Sequence, residues 1–162
     1  MFKNLLVPLD GSRFSSHALG YAIDIAQHYR ARIVMLRVVE PETPISAVTT
    51  PMGMETSLSA QLAIKEATRQ EQIKTGYAKR YMSRKLQEVT LKGIKADYLV
   101  VTGDPFESIM KTCKKEHIDL VVMTTHGKSG LKRAILGSVA DKVVRDARVP
   151  ALVIRPRQSR RR

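Results

Sequence analysis

Met123 to Val139 reads M-T-T-H-G-K-S-G-L-K-R-A-I-L-G-S-V, and the apolar run Ile118 to Val122 leads into it. A helical pattern follows from Ser138. A buried strand that ends in a glycine-rich loop and then a helix start is an anion site by construction. The glycines let backbone approach closely, and free N–H groups point at the ligand. A bound phosphate group, as part of a nucleotide, is the first functional expectation.

The same strand-loop-helix grammar recurs outward from this stretch. Lys3 to Leu9 is an apolar strand closed by the turn cluster Pro8-Leu9-Asp10-Gly11-Ser12, with Ser12 as the N-cap of the next helix. Ala18, Ala22, Ile25 and Ala26 then recur at helical spacing. Arg32 to Val39 reads as a second strand. Glu42 to Ser59 has no clean period and reads as a long loop. Gln61 to Lys92 is a long helical pattern whose core stripe is expected to include Tyr77, Tyr81 and Val89, with Met82 and Leu86 beside it. Lys95 to Thr102 is a third strand. Asp104 caps the next helix, with Pro105 at its first position and Glu107 in capping-box position. His117 to Met123 is the fourth strand, Ser138 to Asp146 a helix, and Pro150 to Ile154 the fifth strand.

Apolar strands that alternate with helices imply βαβ units. The expected fold is α/β: a five-stranded, mainly parallel, doubly wound sheet of flavodoxin-like type, with helices on both faces. Ligands of such sheets bind beyond the carboxyl ends of the strands, where the strand order reverses. The loops near Asp10 and Gly127 are therefore the candidate site.

Composition narrows the class. The chain has 162 residues, 43% hydrophobic and 27% charged, which suits one globular domain. No apolar run reaches the roughly 18–20 residues of a membrane span. The N-terminal M-F-K-N-L-L-V-P-L-D lacks a signal-peptide pattern, so a cytoplasmic protein with no membrane partner is expected. The net charge is +13, and five arginines lie in the tail from Arg155, which is expected to be disordered and able to attract polyanions. Aromatic content is only 5% with no tryptophan, which argues against a nucleic-acid stacking platform. Cys113 is the only cysteine, in the context K-T-C-K-K. It is either a plain thiol or one whose pKa the lysines lower.

Two nucleotide motifs are excluded. Gly127-Lys128-Ser129 is not a Walker A loop, because Val122 stands where that motif needs its first glycine. No G-x-G-x-x-G follows the first strand. What remains is Gly127, nine residues, and Gly137-Ser138 at a helix start, with Lys128, Lys132 and Arg133 between them. Free N–H groups there can bind phosphate oxygens.

Over residues 1 to 155 the chain resembles the universal stress proteins. N-L-L-V-P-L-D-G-S, L-R-V-V, the G-D-P helix start, D-L-V-V-M-T-T-H-G-K-S-G, L-G-S-V-A-D-K-V-V-R and V-P-A-L-V-I-R match that family in order. Its ATP-binding branch carries G-x2-G-x9-G-[S/T]. Here Thr124 replaces the first glycine, and Gly127 and Gly137-Ser138 supply the rest. A Cβ at Thr124 is expected to crowd the backbone's approach to a ligand.

The resemblance implies an ATP site. Asp10 would contact the ribose hydroxyls or adenine, Pro8 and Val38 would line the adenine pocket, and Met123 and Thr124 would flank base and sugar. Gly127, Gly137, Ser138 and Val139 would hold the phosphates. Any Mg2+ would ride on the nucleotide, with no protein metal site. It also implies a homodimer, often formed through the last strand, here Ala151 to Ile154, and action through nucleotide-dependent change rather than turnover. Residues 156–162 would form the basic tail beyond the domain.

No catalytic residue is assigned: His126 lies in the loop, but no orienting partner is evident for a general base. The rival functions are a non-nucleotide interaction protein of the same family and a slow ATP hydrolase. Adenylating enzymes of this sheet type place Ser-Gly-Gly after the first strand, where Asp10-Gly11-Ser12-Arg13 stands here.

Overall fold

The computed structural model describes residues 1–41, 58–125 and 136–155. The expected elements are present in order: β1 (Asn4–Pro8), α1 (Arg13–Tyr29), β2 (Arg32–Val39), α2 (Leu58–Thr90), β3 (Ala96–Thr102), α3 (Pro105–Lys115), β4 (Leu120–Thr124), α4 (Ser138–Asp146) and β5 (Ala151–Ile154). The sheet order is β3-β2-β1-β4-β5, and every pairing is parallel. From β1 the chain winds outward through β2 to β3, then crosses to the other side of β1 for β4 and β5. The order reverses between β1 and β4, so the crevice above those two strands is the switch point of the sheet.

Strand alternation sorts the core into two layers. On one face Leu5, Val7, Ile33, Met35, Leu120 and Val122 pack against Ala18, Leu19, Ala22 and Ala26 of α1 and Met82 and Val89 of α2. On the other, Leu6, Val34, Leu36, Val121 and Met123 pack against Ile109 and Cys113 of α3 and Ala140 and Val143 of α4. Central strands covered on both faces need apolar residues at every position, which explains their unbroken apolar runs.

The caps are as the sequence reads them. Ser12 Oγ accepts the Ser15 N–H at 3.1 Å, and Asp104 Oδ1 accepts the Glu107 N–H at 2.9 Å, with Pro105 opening α3. Three expectations change. The fourth strand starts at Leu120, not His117: His117 adopts φ 49°, and the Ile118 N–H returns to the Cys113 carbonyl at 2.9 Å, so these residues close α3. Tyr77 is not core; it is 65% exposed, with the Arg80 guanidinium 4.8 Å above its ring. The loop expected over Glu42 to Ser59 overlaps α2, which begins at Leu58; residues 42–57 and the tail 156–162 lie outside the described residues.

Candidate functional site

Three apolar residues meet one face of the sheet at its carboxyl end. In β1, Leu6 belongs to the α3/α4 layer, so alternation puts Pro8 on the same face. In β2, Val38 packs against that layer, and in β4 Met123 is part of it, 6% exposed. Pro8 and Val38 are half-buried, so they form an open apolar surface rather than closed core. β2 outruns β1: Pro8 pairs with Leu36, and Val38 pairs with Val101 of β3. A planar apolar ligand can therefore rest against Val38 beside the end of β1.

Asp10 stands at the rim. The Leu9 N–H extends the ladder to the Leu36 carbonyl at 2.8 Å, and the chain then turns. Asp10 Oδ1 accepts the Ser12 N–H at 2.9 Å, and Gly11 adopts φ +82°, a conformation that glycine reaches without a Cβ penalty. The expected turn-former role of Asp10 is therefore present. It occupies one carboxylate oxygen.

Thr124 is buried, 8% exposed. Val122 belongs to the α1/α2 layer and Met123 to the opposite one, so alternation turns the Thr124 side chain towards α1 and α2. Its Cβ points away from the face that carries Val38 and Met123. The expected crowding on that face does not follow from this geometry.

The far side of the crevice is the start of α4. The Gly137 N–H donates to the Thr125 carbonyl at 2.7 Å, which ties this helix start to the end of β4. Gly137 is the N-cap and offers no side-chain cap, unlike Ser12 of α1 and Asp104 of α3. Ser138 is exposed, and Val139 is half-buried against the α3/α4 layer. His126, Gly127, Lys128, Ser129, Lys132 and Arg133 lie outside the described residues. Of the nine site residues expected from sequence, the structure thus describes all but Gly127. Among the described residues no group of three or more His, Cys, Asp or Glu is arranged to hold a metal.

One residue beside this site escaped the sequence reading. Arg37 is the second cation of the β2 run R-I-V-M-L-R-V-V-E, which reads as a plain apolar strand. Its Nη1 donates to the Leu9 carbonyl at 3.3 Å. Burial lowers its pKa from the usual guanidinium value, while Asp10, Tyr81 and Glu40 favour its charge. The available signal was a cation at a position where alternation demands core.

Comparison with known proteins agrees with this architecture. The family model for the universal stress protein family matches residues 1–155. Universal stress protein MJ0531 of Methanocaldococcus jannaschii is 32% identical over 155 residues, covering 96% of this chain and 83% of that protein. Universal stress protein UspA from Lactobacillus plantarum superposes with a TM-score of 0.79 at 26% identity, covering 95% of this chain and 98% of its own. Two more distant structures share the fold. One is a universal stress protein in complex with cAMP, with TM-score 0.58, 19% identity, and 95% and 97% coverage of the two chains. The other is an Arabidopsis thaliana family protein with AMP bound, with TM-score 0.59, 17% identity, and 96% and 92% coverage. On the family match across the domain and the identity to MJ0531, the chain belongs to the universal stress protein family.

Proposed function

We propose that this protein binds an adenine nucleotide, ATP, in the crevice between β1 and β4. The observation that carries the reading is the grouping at the switch point. Pro8, Val38 and Met123 share one sheet face, Asp10 stands at its rim, and the N-terminus of α4 faces it without a side-chain cap. An apolar face suits adenine, a carboxylate suits ribose hydroxyls, and a helix start suits phosphates. Gly127, Ser138 and Val139 complete the phosphate end in this reading. Relatives of the same fold carry cAMP and AMP. Mg2+ would be held chiefly by the phosphates.

Nucleotide binding then acts through a change in shape or partner, in a homodimer. The dimer reading draws on β5, which lies at the sheet edge and leaves Leu152 37% exposed. A second copy pairing there would cover an unpaired strand edge. Leu152→Lys is expected to convert a dimer to monomer in sedimentation; wild-type protein that sediments as a monomer removes the dimer from the proposal.

The test of the nucleotide reading is the content of protein purified without added ligand, read after denaturation, followed by titration with Mg-ATP. Co-purified ATP or ADP, or saturable one-site binding, supports it. Empty protein that also fails to bind Mg-ATP sinks it and leaves an interaction protein of the same family.

A further inference from the structure

β2 carries a cation where its neighbours are core. Ile33 and Met35 point into the α1/α2 layer, and alternation sends Arg37 the same way. Arg37 is half-buried, which is costly for a charge unless its donors are used. One of them is directed at the β1–α1 turn. Nη1 donates to the Leu9 carbonyl at 3.3 Å. The guanidinium also packs beneath Gly11: a Cβ built there would meet Nη1, Cζ and Nη2 at 3.8–3.9 Å.

This contact falls where the sheet stops helping the turn. The Leu9 N–H makes the final bond from β1 to the Leu36 carbonyl, and the chain then leaves the ladder. The Leu9 carbonyl belongs to the peptide that sets the direction of Asp10. Without a donor it would be free to rotate with the turn. Arg37 reaches it from the adjacent strand, on the face opposite Val38. We infer that Arg37 is the positioning residue of the Asp10 turn, fixing the carboxylate for the sugar hydroxyls of an adenine nucleotide without touching the ligand. The nucleotide half of this inference rests on the function proposed above; the anchoring of the turn does not.

The test uses the full chain with Arg37→Met, which keeps the stem and removes the fork, and Arg37→Lys, which keeps the charge. Amide hydrogen exchange at Ser12, whose N–H is held by Asp10 Oδ1, reads the turn directly. Arg37→Met is expected to speed that exchange by about tenfold while core amides such as Val34 stay unchanged, and Arg37→Lys to recover part of the loss. The Mg-ATP dissociation constant is expected to rise by about tenfold in Arg37→Met. Ser12 exchange that stays at the wild-type rate in a folded Arg37→Met overturns the inference. Faster exchange with unaltered Mg-ATP affinity supports the anchor and overturns its positioning of the carboxylate for the nucleotide. Wild-type protein that binds no Mg-ATP overturns the nucleotide reading instead, and the exchange result alone then decides for or against Arg37 as the anchor. Should Arg37→Met not fold, NMR of the wild-type guanidinium decides: hindered Nη rotation supports the anchor, and free rotation overturns it.

Discussion

The Gly137 N–H donates to the Thr125 carbonyl at 2.7 Å, so the start of α4 is fastened to the end of β4. The fastening sets where the helix dipole points. A helix start carries a partial positive charge, and the absence of a side-chain cap at Gly137 leaves its first-turn donors to other acceptors.

Gly137→Asp separates stability from binding. Gly137 has φ −62° and ψ 151°, which any residue adopts, so the aspartate is free to cap α4. Helix capping is expected to add a few tenths of a kcal/mol to stability. The same carboxylate would occupy the donors and repel phosphate, and Mg-ATP affinity is expected to fall by tenfold or more, on the order of one lost charge-assisted contact. Denaturant midpoint and calorimetric titration measure the two effects. Loss of both together would mean that the substitution merely damages the helix.

α2 offers a sharper contrast between two neighbouring stripes. Met82 is fully buried between α2 and the sheet, whereas Tyr77 is 65% exposed. Met82→Ala is expected to cost about 2–5 kcal/mol through lost burial and a residual cavity. Tyr77→Ala loses an exposed cation–π contact with Arg80 and is expected to cost under about 1 kcal/mol. Urea unfolding of both variants checks the ranking, and equal costs would contradict the packing.

These two residues also show what the sequence reveals and what it hides. Ala78, Met82 and Val89 are the buried stripe of α2, and Tyr77 lies one residue, about 100° of helix rotation, off it. A large aromatic in a long, weakly amphipathic helix draws the eye to the wrong phase. By contrast, β2 and α4 keep the bounds read from sequence, β2 stopping before Glu40-Pro41 and α4 starting after Gly137. The apolar run from Ile118 draws His117 into the strand on sequence alone; its left-handed backbone, which closes α3, has no glycine to announce it. The site divides similarly. Pro8, Asp10, Val38 and Met123 are named by the family resemblance, and strand alternation gives Pro8, Val38 and Met123 a common face. Arg37 does not, since its partner is a backbone carbonyl just past the end of β1, and no residue type encodes that contact.

Ser16 and Tyr81 join α1 to α2. Ser16 Oγ and the Tyr81 hydroxyl lie 3.2 Å apart, and Tyr81 is one of the groups that face Arg37. Tyr81→Phe keeps the ring against the core and removes only the hydroxyl. The expected cost is about 0.5–1.5 kcal/mol, the usual range for one hydrogen bond. A double-mutant cycle with Ser16→Ala checks the assignment. If the two hydroxyls bond to each other, the double variant costs less than the sum of the singles. Strict additivity would assign the cost of Tyr81→Phe to some other contact.

Cys113 decides between the two thiol readings that its lysine-rich context leaves open. The lysines flank it in sequence, but the side chain faces the α3/α4 layer and is 6% exposed. Burial penalises the thiolate and pushes the pKa up from 9.0 to about 11. The thiol is therefore protonated and shielded at neutral pH, and its reaction with a maleimide is expected to be slow until the protein unfolds. The sign of the pH effect follows. The folded state holds the proton more tightly than the unfolded chain, so this contribution to stability is full below pH 9. It declines as pH rises from 9 through about 11, where the unfolded chain releases the proton first. Other groups titrate in that window, so the informative quantity is the wild type compared with Cys113→Ala. The wild type is expected to lose stability more steeply than the variant between pH 9 and 11, measured by urea midpoint. Parallel profiles, or rapid labelling of the folded protein at pH 7, would return Cys113 to the reactive-thiol reading.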